Sequence, residues 1–483
     1  MVAKDLVPLG ERALFPSVLL LAWRKPMERE FRIILLICTA LATVGCGEDG
    51  ADGGGAVVGP AGVGGSGGSG GRAGTGGEGG MLGTAALEPL DEAPRFAVVS
   101  TDFSSSSIAM LDEDFVVIDE SWLSSGTTYP GLVASLSGDV VLPNRQAGDG
   151  TFAVIDRFFT DVVTRFFLPS GNLNGQVRTH GEVGDSGFSS NPQDFIFVDA
   201  DSAWVPRYEF NLNPAASPEN RGNDLIEINP SDMSATGARI DLSPFDTSAT
   251  VPSGDASTEV DVFARPSRGI LFGSTMVLGL DRISAGFDAA GSGMVAVVDL
   301  EDDSVVGLEL SGLASCGNAV PVPEAPSKVL VACVGFAQPF GDEPQVRASS
   351  GLVLLNVGVA GVELERIWRV SDHPSAAISV NSVIAIDDRR ALGVATGNFV
   401  DTVDQLYLID LVTGDQKLVL ESGGSFVIGL SAYDPDRRML YVPDAFDNVV
   451  IELAADDDGF VELGSTQIAA GLGLPPSKVY LLD

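Results

Sequence analysis

The chain contains two histidines, His180 and His373, and neither stands in an HExxH run or beside a second ligand at metal-binding spacing. That excludes a histidine-based zinc or haem centre. Clustered acids remain, in LEDDS around Asp302 and AADDDG around Asp456. Ca2+ favours several oxygen ligands, but neither run has the DxDxDG spacing of a calcium loop. Both read as solvated turns, with Ca2+ as the alternative and no other cofactor expected.

Two serine motifs stand in the chain. GDSG at Gly184–Gly187 resembles the nucleophile turn of trypsin-like proteases, which would make Ser186 a nucleophile. The rest of that pattern is missing: no distant histidine sits in an AAHC setting, and His180 lies in a glycine-rich loop six residues upstream. A turn between structural repeats is the favoured reading. A GxSxG match at Gly64–Gly68 falls in a Gly/Ser stretch that cannot hold a strained nucleophile elbow. No catalytic residue is assigned.

Of the four cysteines, Cys38 and Cys46 lie near the N-terminus, while Cys316 and Cys333 flank NAVPVPEAPSKVLVA. That segment reads as a hairpin turning between Ala325 and Pro326, which sets the two cysteines almost opposite each other. In an oxidising compartment they form a disulfide, contributing about 3 kcal/mol in the chain-entropy model. Two buried free thiols are the alternative; a metal site lacks a nearby His or further Cys. The longest segments between strands are Pro169–Pro192, Glu209–Asn223, Asp246–Glu259 and Phe336–Ser350, where function would sit. Trp204, Tyr208 and Phe210, beside the second of these, form either a contact surface or, preferably, part of the packing.

The elements that must position these residues are strands. From about Leu87 onward, short β-branched and aromatic runs are punctuated by Gly, Pro, Asn and Asp, with no helical period. One unit recurs seven times: an apolar strand, an Asp or Asn, a polar turn and a second strand. It begins at Ser107, Gly150, Asn223, Gly293, Gly351, Gln405 and Asn448. The turn positions are Asp112, Asp156, Asn229, Asp299, Asn356 and Asp410, with Leu453 in the last copy. Their side chains bond the turn backbone two residues on, a structural role.

A further strand precedes each unit, and another precedes six of those, giving four strands per repeat at about 57-residue intervals, as in β-propeller blades. The first copy lacks its innermost strand, and PPSKVYLLD at the C-terminus supplies it, so that no edge stays open. The fold class expected is all-β, a seven-bladed β-propeller of four-stranded antiparallel blades, closed by pairing of the C-terminal strand with the first blade. MLYVPDAFDNVVIEL and its copies resemble the YVTN or YncE-type repeats of seven-bladed propellers. The resemblance implies a fold and a surface or periplasmic location, but no reaction.

Upstream, Arg29 and Arg32 precede the apolar run Ile33–Val44, which ends at Gly45 and Cys46, the order of parts of a signal peptide. Twelve residues are too few to span a membrane, which takes about 20. The run resembles the lipobox of bacterial lipoproteins, although Thr43 stands where that family usually has Leu. The resemblance implies cleavage before Cys46 and its lipidation. A plain cleaved signal and a short buried helix are the alternatives. Residues 1–46 are thus expected to be a signal whose true start is Met27, residues 47–86 a glycine-rich flexible tether, and residues 87–483 the propeller.

The formal charge is −38, and cleavage removes six of the 28 bases and four of the 66 acids, leaving −40. Such a body repels phosphate backbones, which excludes nucleic acid as a partner. The resulting expectation is a monomeric, lipid-anchored module on the periplasmic or outer face of the outer membrane. It would bind an unknown protein or glycan of the envelope without catalysis. The alternative is a propeller enzyme of lactonase or quinoprotein-like type, using channel carboxylates with or without a divalent metal.

Overall fold

The computed structural model describes residues 87–128, 130–157, 159–180, 188–253, 256–323, 325–337, 343–358, 361–372, 379–397, 402–456 and 459–482. Cys46, the Gly64–Gly68 motif, Ser186 and His373 lie outside them. Strands dominate the described residues, none of whose helices is long and apolar enough to cross a membrane.

The strands form eight antiparallel sheets, seven of four strands and one of three. We number the four-stranded sheets 1 to 7 along the chain. In sheets 2 to 7 the strands follow chain order, so each is a simple meander. Sheet 1 takes one strand from the far end of the chain: Pro476–Leu481 pairs with Phe96–Thr101, setting Ala97 opposite Tyr480.

Central strands such as Lys328–Cys333 and Gly351–Gly358 are buried along most of their length, because the sheets pack face on face and cover both sides. That is why they read as continuous apolar runs. The fourth strand of a sheet, such as Gln416–Glu421 or Ser234–Asp241, faces water and is polar. Seven apolar clusters lie between consecutive sheets. The last joins sheet 7 to sheet 1, with Phe115 stacked on Tyr441 at 4.1 Å between ring centroids.

Three sequence expectations need correction. The copy beginning at Gly150 is displaced by one strand: Thr151–Asp156 is the second strand of sheet 2, followed by Val162–Phe167 and Leu173–Arg178. Asp156 therefore does not open an outer turn. It is fully buried and accepts hydrogen bonds from the Ser137 amide (2.5 Å) and hydroxyl (2.6 Å). The sequence misled because sheet 2 has a first strand of only two residues, Val140–Val141, with no run to announce it. At Asp112, Asn229, Asp299 and Asp410 the expected turn bonds form, to the amides of Asp114, Ser231, Glu301 and Val412.

The supposed long loops also contain structure. Pro169–Pro192 includes the fourth strand of sheet 2, and Phe336–Ser350 includes the helix α1 (Glu343–Ser349). Most of Asp246–Glu259 belongs to the hairpin Thr247–Ser253/Ala256–Phe263, the body of the three-stranded sheet. Its Thr- and Ser-rich strands are polar enough to stay exposed, and so lacked the apolar signal of a buried strand.

Because neighbouring strands alternate in direction, loops joining second to third strands emerge on the same face as connections from one sheet to the next. The first strand of each sheet also begins there. We call this the loop face.

Candidate functional site

The first strands converge at one place, where side chains from sheets 1, 2, 3 and 4 meet and reach sheet 5. Asn144 follows the first strand of sheet 2, and its Nδ2 donates to the Ala319 carbonyl of sheet 5 (2.6 Å) and the Gly269 carbonyl of sheet 4 (3.4 Å). Asp194 of sheet 3 is 1% exposed and bridges its neighbours, accepting from the amides of Asn144 (3.0 Å) and Gly269 (3.1 Å). Burial pushes its carboxyl above the usual range. Arg268 of sheet 4 reaches across to the Asn144 Oδ1 (3.0 Å), the Leu142 carbonyl (3.3 Å) and the Tyr480 hydroxyl (3.3 Å).

Tyr480 belongs to the C-terminal strand, as does Lys478 two residues earlier. A strand alternates its side chains, so the two share a face. The Tyr480 oxygen accepts from Arg268 and from the Leu142 amide (3.1 Å), leaving its own proton to donate. Lys478 is half-buried and donates to the Val140 carbonyl (3.2 Å).

Beside Lys478 lies the pair Arg157–Asp139 at 2.5 Å, with Arg157 also donating to Gln193 Oε1 (3.0 Å). Asp139 is held by its own loop, which the buried Asp156 ties down through Ser137. Burial lifts the Asp156 carboxyl to about 6. Burial first, and then the charges of Arg157 and Arg268 against the opposing pull of Asp139, lower the Lys478 ammonium from 10.5 to about 7. The site thus holds a half-buried lysine whose amine is substantially neutral near pH 7, flanked by two guanidiniums and a phenol. Such a group can take a proton from water while its neighbours stabilise developing negative charge.

A second polar cluster lies further out on the same face. Arg265 is 1% exposed and sits between the rings of Tyr208 (4.9 Å) and Phe287 (4.5 Å), pairing with Glu209 at 2.9 Å. Its guanidinium also donates to the carbonyls of Ile283 and Ser284. Burial raises both the Tyr208 phenol and the Asp281 carboxyl, which hydrogen-bond one another. These bonds lock loops together. Of the aromatic residues singled out in sequence, Trp204 is core at 4% exposure, and Phe210 stacks on Phe263 at 4.3 Å.

Cys316 and Cys333 form a disulfide with Cα atoms 3.9 Å apart, in the hairpin register that sets Asn318 opposite Ala332. His180 lies 4.0 Å from Asp161, whose carboxyl is raised by burial despite bonds from Ser189, Ser190 and the Asn191 amide. Among the described residues no group of three or more His, Cys, Asp or Glu is arranged to hold a metal ion. The exposed Asp302 bonds the Ser304 amide of its own turn.

None of Lys478, Tyr480, Arg268, Arg157, Asp139, Asn144 or Asp194 was singled out from sequence. They come from segments up to 339 positions apart, Asp139 to Lys478, and no motif spacing connects them. The one available signal was KVY in the C-terminal strand, two polar-tipped residues at period 2 in a strand read as innermost.

No family model matches the chain, and no curated protein matches it. Solved structures do resemble it. A "putative 6-phosphogluconolactonase" from Bacteroides uniformis has 10% identity and a TM-score of 0.50, over 80% of this chain and 98% of that one. A β-propeller domain of Cps50 (Swd1) from Myceliophteria thermophila has 13% identity and a TM-score of 0.45, over 74% and 94%. The dihydro-heme d1 dehydrogenase NirN has 12% identity and a TM-score of 0.44, over 83% and 78%. At these identities the likenesses show the fold alone. The expectation of a non-catalytic binding or scaffold module rested on finding no reactive constellation, and the convergent Lys478 cluster corrects that premise.

Proposed function

We propose that the chain is a propeller hydrolase of the lactonase type, with its site at the loop-face mouth of a central channel. The sheets are read as seven blades closed by the C-terminal strand, with the three-stranded sheet as an insertion between blades 3 and 4. Pairing of Pro476–Leu481 with Phe96–Thr101 and the apolar cluster between sheets 7 and 1 support closure. The repeat class is taken as YVTN-like, and lipid anchoring at Cys46 in the outer membrane remains part of the proposal.

The observation that carries the reading is the half-buried Lys478 amine, set among Arg157, Arg268 and Tyr480. Neutral Lys478 takes a proton from water as the oxygen adds to the carbonyl carbon. The tetrahedral oxyanion is met by the Arg268 guanidinium and the Tyr480 hydroxyl. The ring C–O bond then breaks, and the Lys478 ammonium returns its proton to the leaving alkoxide, giving a hydroxy acid. Asp139 and Asp194 are already engaged by Arg157 and by backbone amides, so these carboxylates position the site instead of performing the proton transfer.

The test is hydrolysis of a lactone panel by the purified chain, followed by release of acid in weakly buffered solution. Turnover well above the buffer rate is expected for at least one lactone. A rate equal to buffer for γ-, δ- and phospho-sugar lactones alike would overturn the reading.

A further inference from the structure

The site holds more cationic groups than its carboxylates answer. Lys478 and Arg268 are both half-buried, and among the described residues neither forms an ion pair. Lys478 Nζ makes one hydrogen bond, to the neutral Val140 carbonyl (3.2 Å). Arg268 donates through its two Nη atoms to Asn144, Leu142 and Tyr480, all neutral acceptors, which leaves its Nε–H unassigned. The carboxylates nearby are already engaged: Asp139 pairs with Arg157 at 2.5 Å, and Asp194 accepts the amides of Asn144, Phe195 and Gly269. A buried guanidinium without a counter-charge is costly, and an anion at its free N–H removes that cost.

The choice of lysine at 478 is itself informative. Of the 28 basic residues only five are lysines, and three of those lie in residues 87–483: Lys328, Lys417 and Lys478. Lys328 pairs with Glu365 at 3.2 Å, and Lys417 stands exposed on the fourth strand of sheet 6. Where the site requires only positive charge the chain uses arginine, at 157 and 268. An amine supplies what a guanidinium cannot, a neutral nitrogen nucleophile. Burial and the two guanidiniums bring the Lys478 amine to that state near pH 7.

We propose that this site also condenses with 2-oxo acids: Arg268 binds the carboxylate through its Nε–H, and the Lys478 amine forms an imine with the adjacent keto carbon. The Nζ lone pair bonds to that carbon while the C=O π pair moves onto oxygen, which takes the Tyr480 proton. Nζ then returns one proton to Tyr480 and gives its other to the departing hydroxyl. A C=N bond forms, one water leaves, and no oxidant or reductant is consumed. The reaction shares its residues with the hydrolase reading but involves no lactone and does not depend on lactone turnover.

The test incubates the full chain with pyruvate or with acetone, its analogue lacking the carboxylate, in the presence of cyanoborohydride at pH 7. Reduced adducts are quantified on the Lys328, Lys417 and Lys478 peptides by mass spectrometry. With pyruvate, Lys478 is expected to carry at least about tenfold more adduct than either other lysine, as an activated amine should. Its pyruvate-to-acetone ratio, divided by the same ratio at Lys417, should exceed one by at least about tenfold, the scale of one charge-assisted hydrogen bond. In Arg268→Gln that normalised ratio should fall toward one, and being a ratio it is insensitive to any change in the protonation of the amine. Adduct at Lys478 no greater than at the other lysines overturns the proposal, and so does a normalised ratio near one in the wild type, which decides the matter even where the variant does not fold. Trapping at Lys478 without turnover of any lactone upholds the condensation and overturns the hydrolase reading; lactone turnover without trapping does the reverse.

Discussion

Replacing Lys478 by Met is expected to lower kcat/KM for lactone hydrolysis by about 100- to 10,000-fold, the usual contribution of a positioned general base. Met keeps most of the stem and removes the amine with its one hydrogen bond to the Val140 carbonyl, so the fold should survive. Lys478→Arg should not rescue activity, since a guanidinium stays protonated and cannot accept a proton. In the wild type, burial first, and then Arg157 and Arg268, bring the amine to about 7. Below that value the ammonium predominates and cannot act as a base, so kcat/KM should rise as pH increases through about 7. That ascending limb should vanish in Lys478→Met. Steady-state kinetics between pH 5 and pH 9 check both results, and an unchanged limb in the variant would assign it to another group.

The second large effect is on stability. Asp404 is 1% exposed, and its carboxylate accepts four backbone amides: Gly397 (2.9 Å), Phe426 (2.8 Å), Val427 (2.7 Å) and Ile428 (2.9 Å). The last three belong to the connection from sheet 6 to sheet 7, which would otherwise leave donors unpaired on entering the buried first strand of sheet 7. Asp404→Ala removes the acceptor while keeping the donors, and the cost of unsatisfied buried groups places the loss at about 3–5 kcal/mol. Denaturant unfolding should show a midpoint displaced to lower concentration with little change in slope. Asp404→Asn, which keeps one acceptor oxygen, should lose less. A loss below 1 kcal/mol for the alanine variant would mean that water replaces the carboxylate and that the loop is not fastened by it.

Much of the architecture was legible because its signals are local. A strand such as Lys328–Cys333 is apolar throughout because both of its faces are covered, and Asp112 or Asp410 marks a turn by bonding amides two residues on. The Cys316–Cys333 disulfide was legible for the same reason, being closed by a hairpin with a recognisable turn. Sheet 2 was misread where its first strand shrinks to Val140–Val141 and the displaced copy happened to end in an Asp.

The site was not legible. Arg268, Asn144 and Tyr480 are unremarkable in their own segments, and their roles exist only after first strands from distant parts of the chain converge. Lys478 illustrates the limit: its position in the innermost strand could be read, but its lowered pKa arises from Arg157 and Arg268, 321 and 210 residues away.

The most direct test of the account is the titration of Lys478 itself, read by acetylating the folded chain at a series of pH values and quantifying the Lys478 peptide by mass spectrometry. The structure predicts a reactivity midpoint near pH 7, moving upward when Arg157 is replaced by Gln. A midpoint at the ordinary lysine value of about 10.4, insensitive to Arg157→Gln, would contradict the neutral amine on which the proposed chemistry depends.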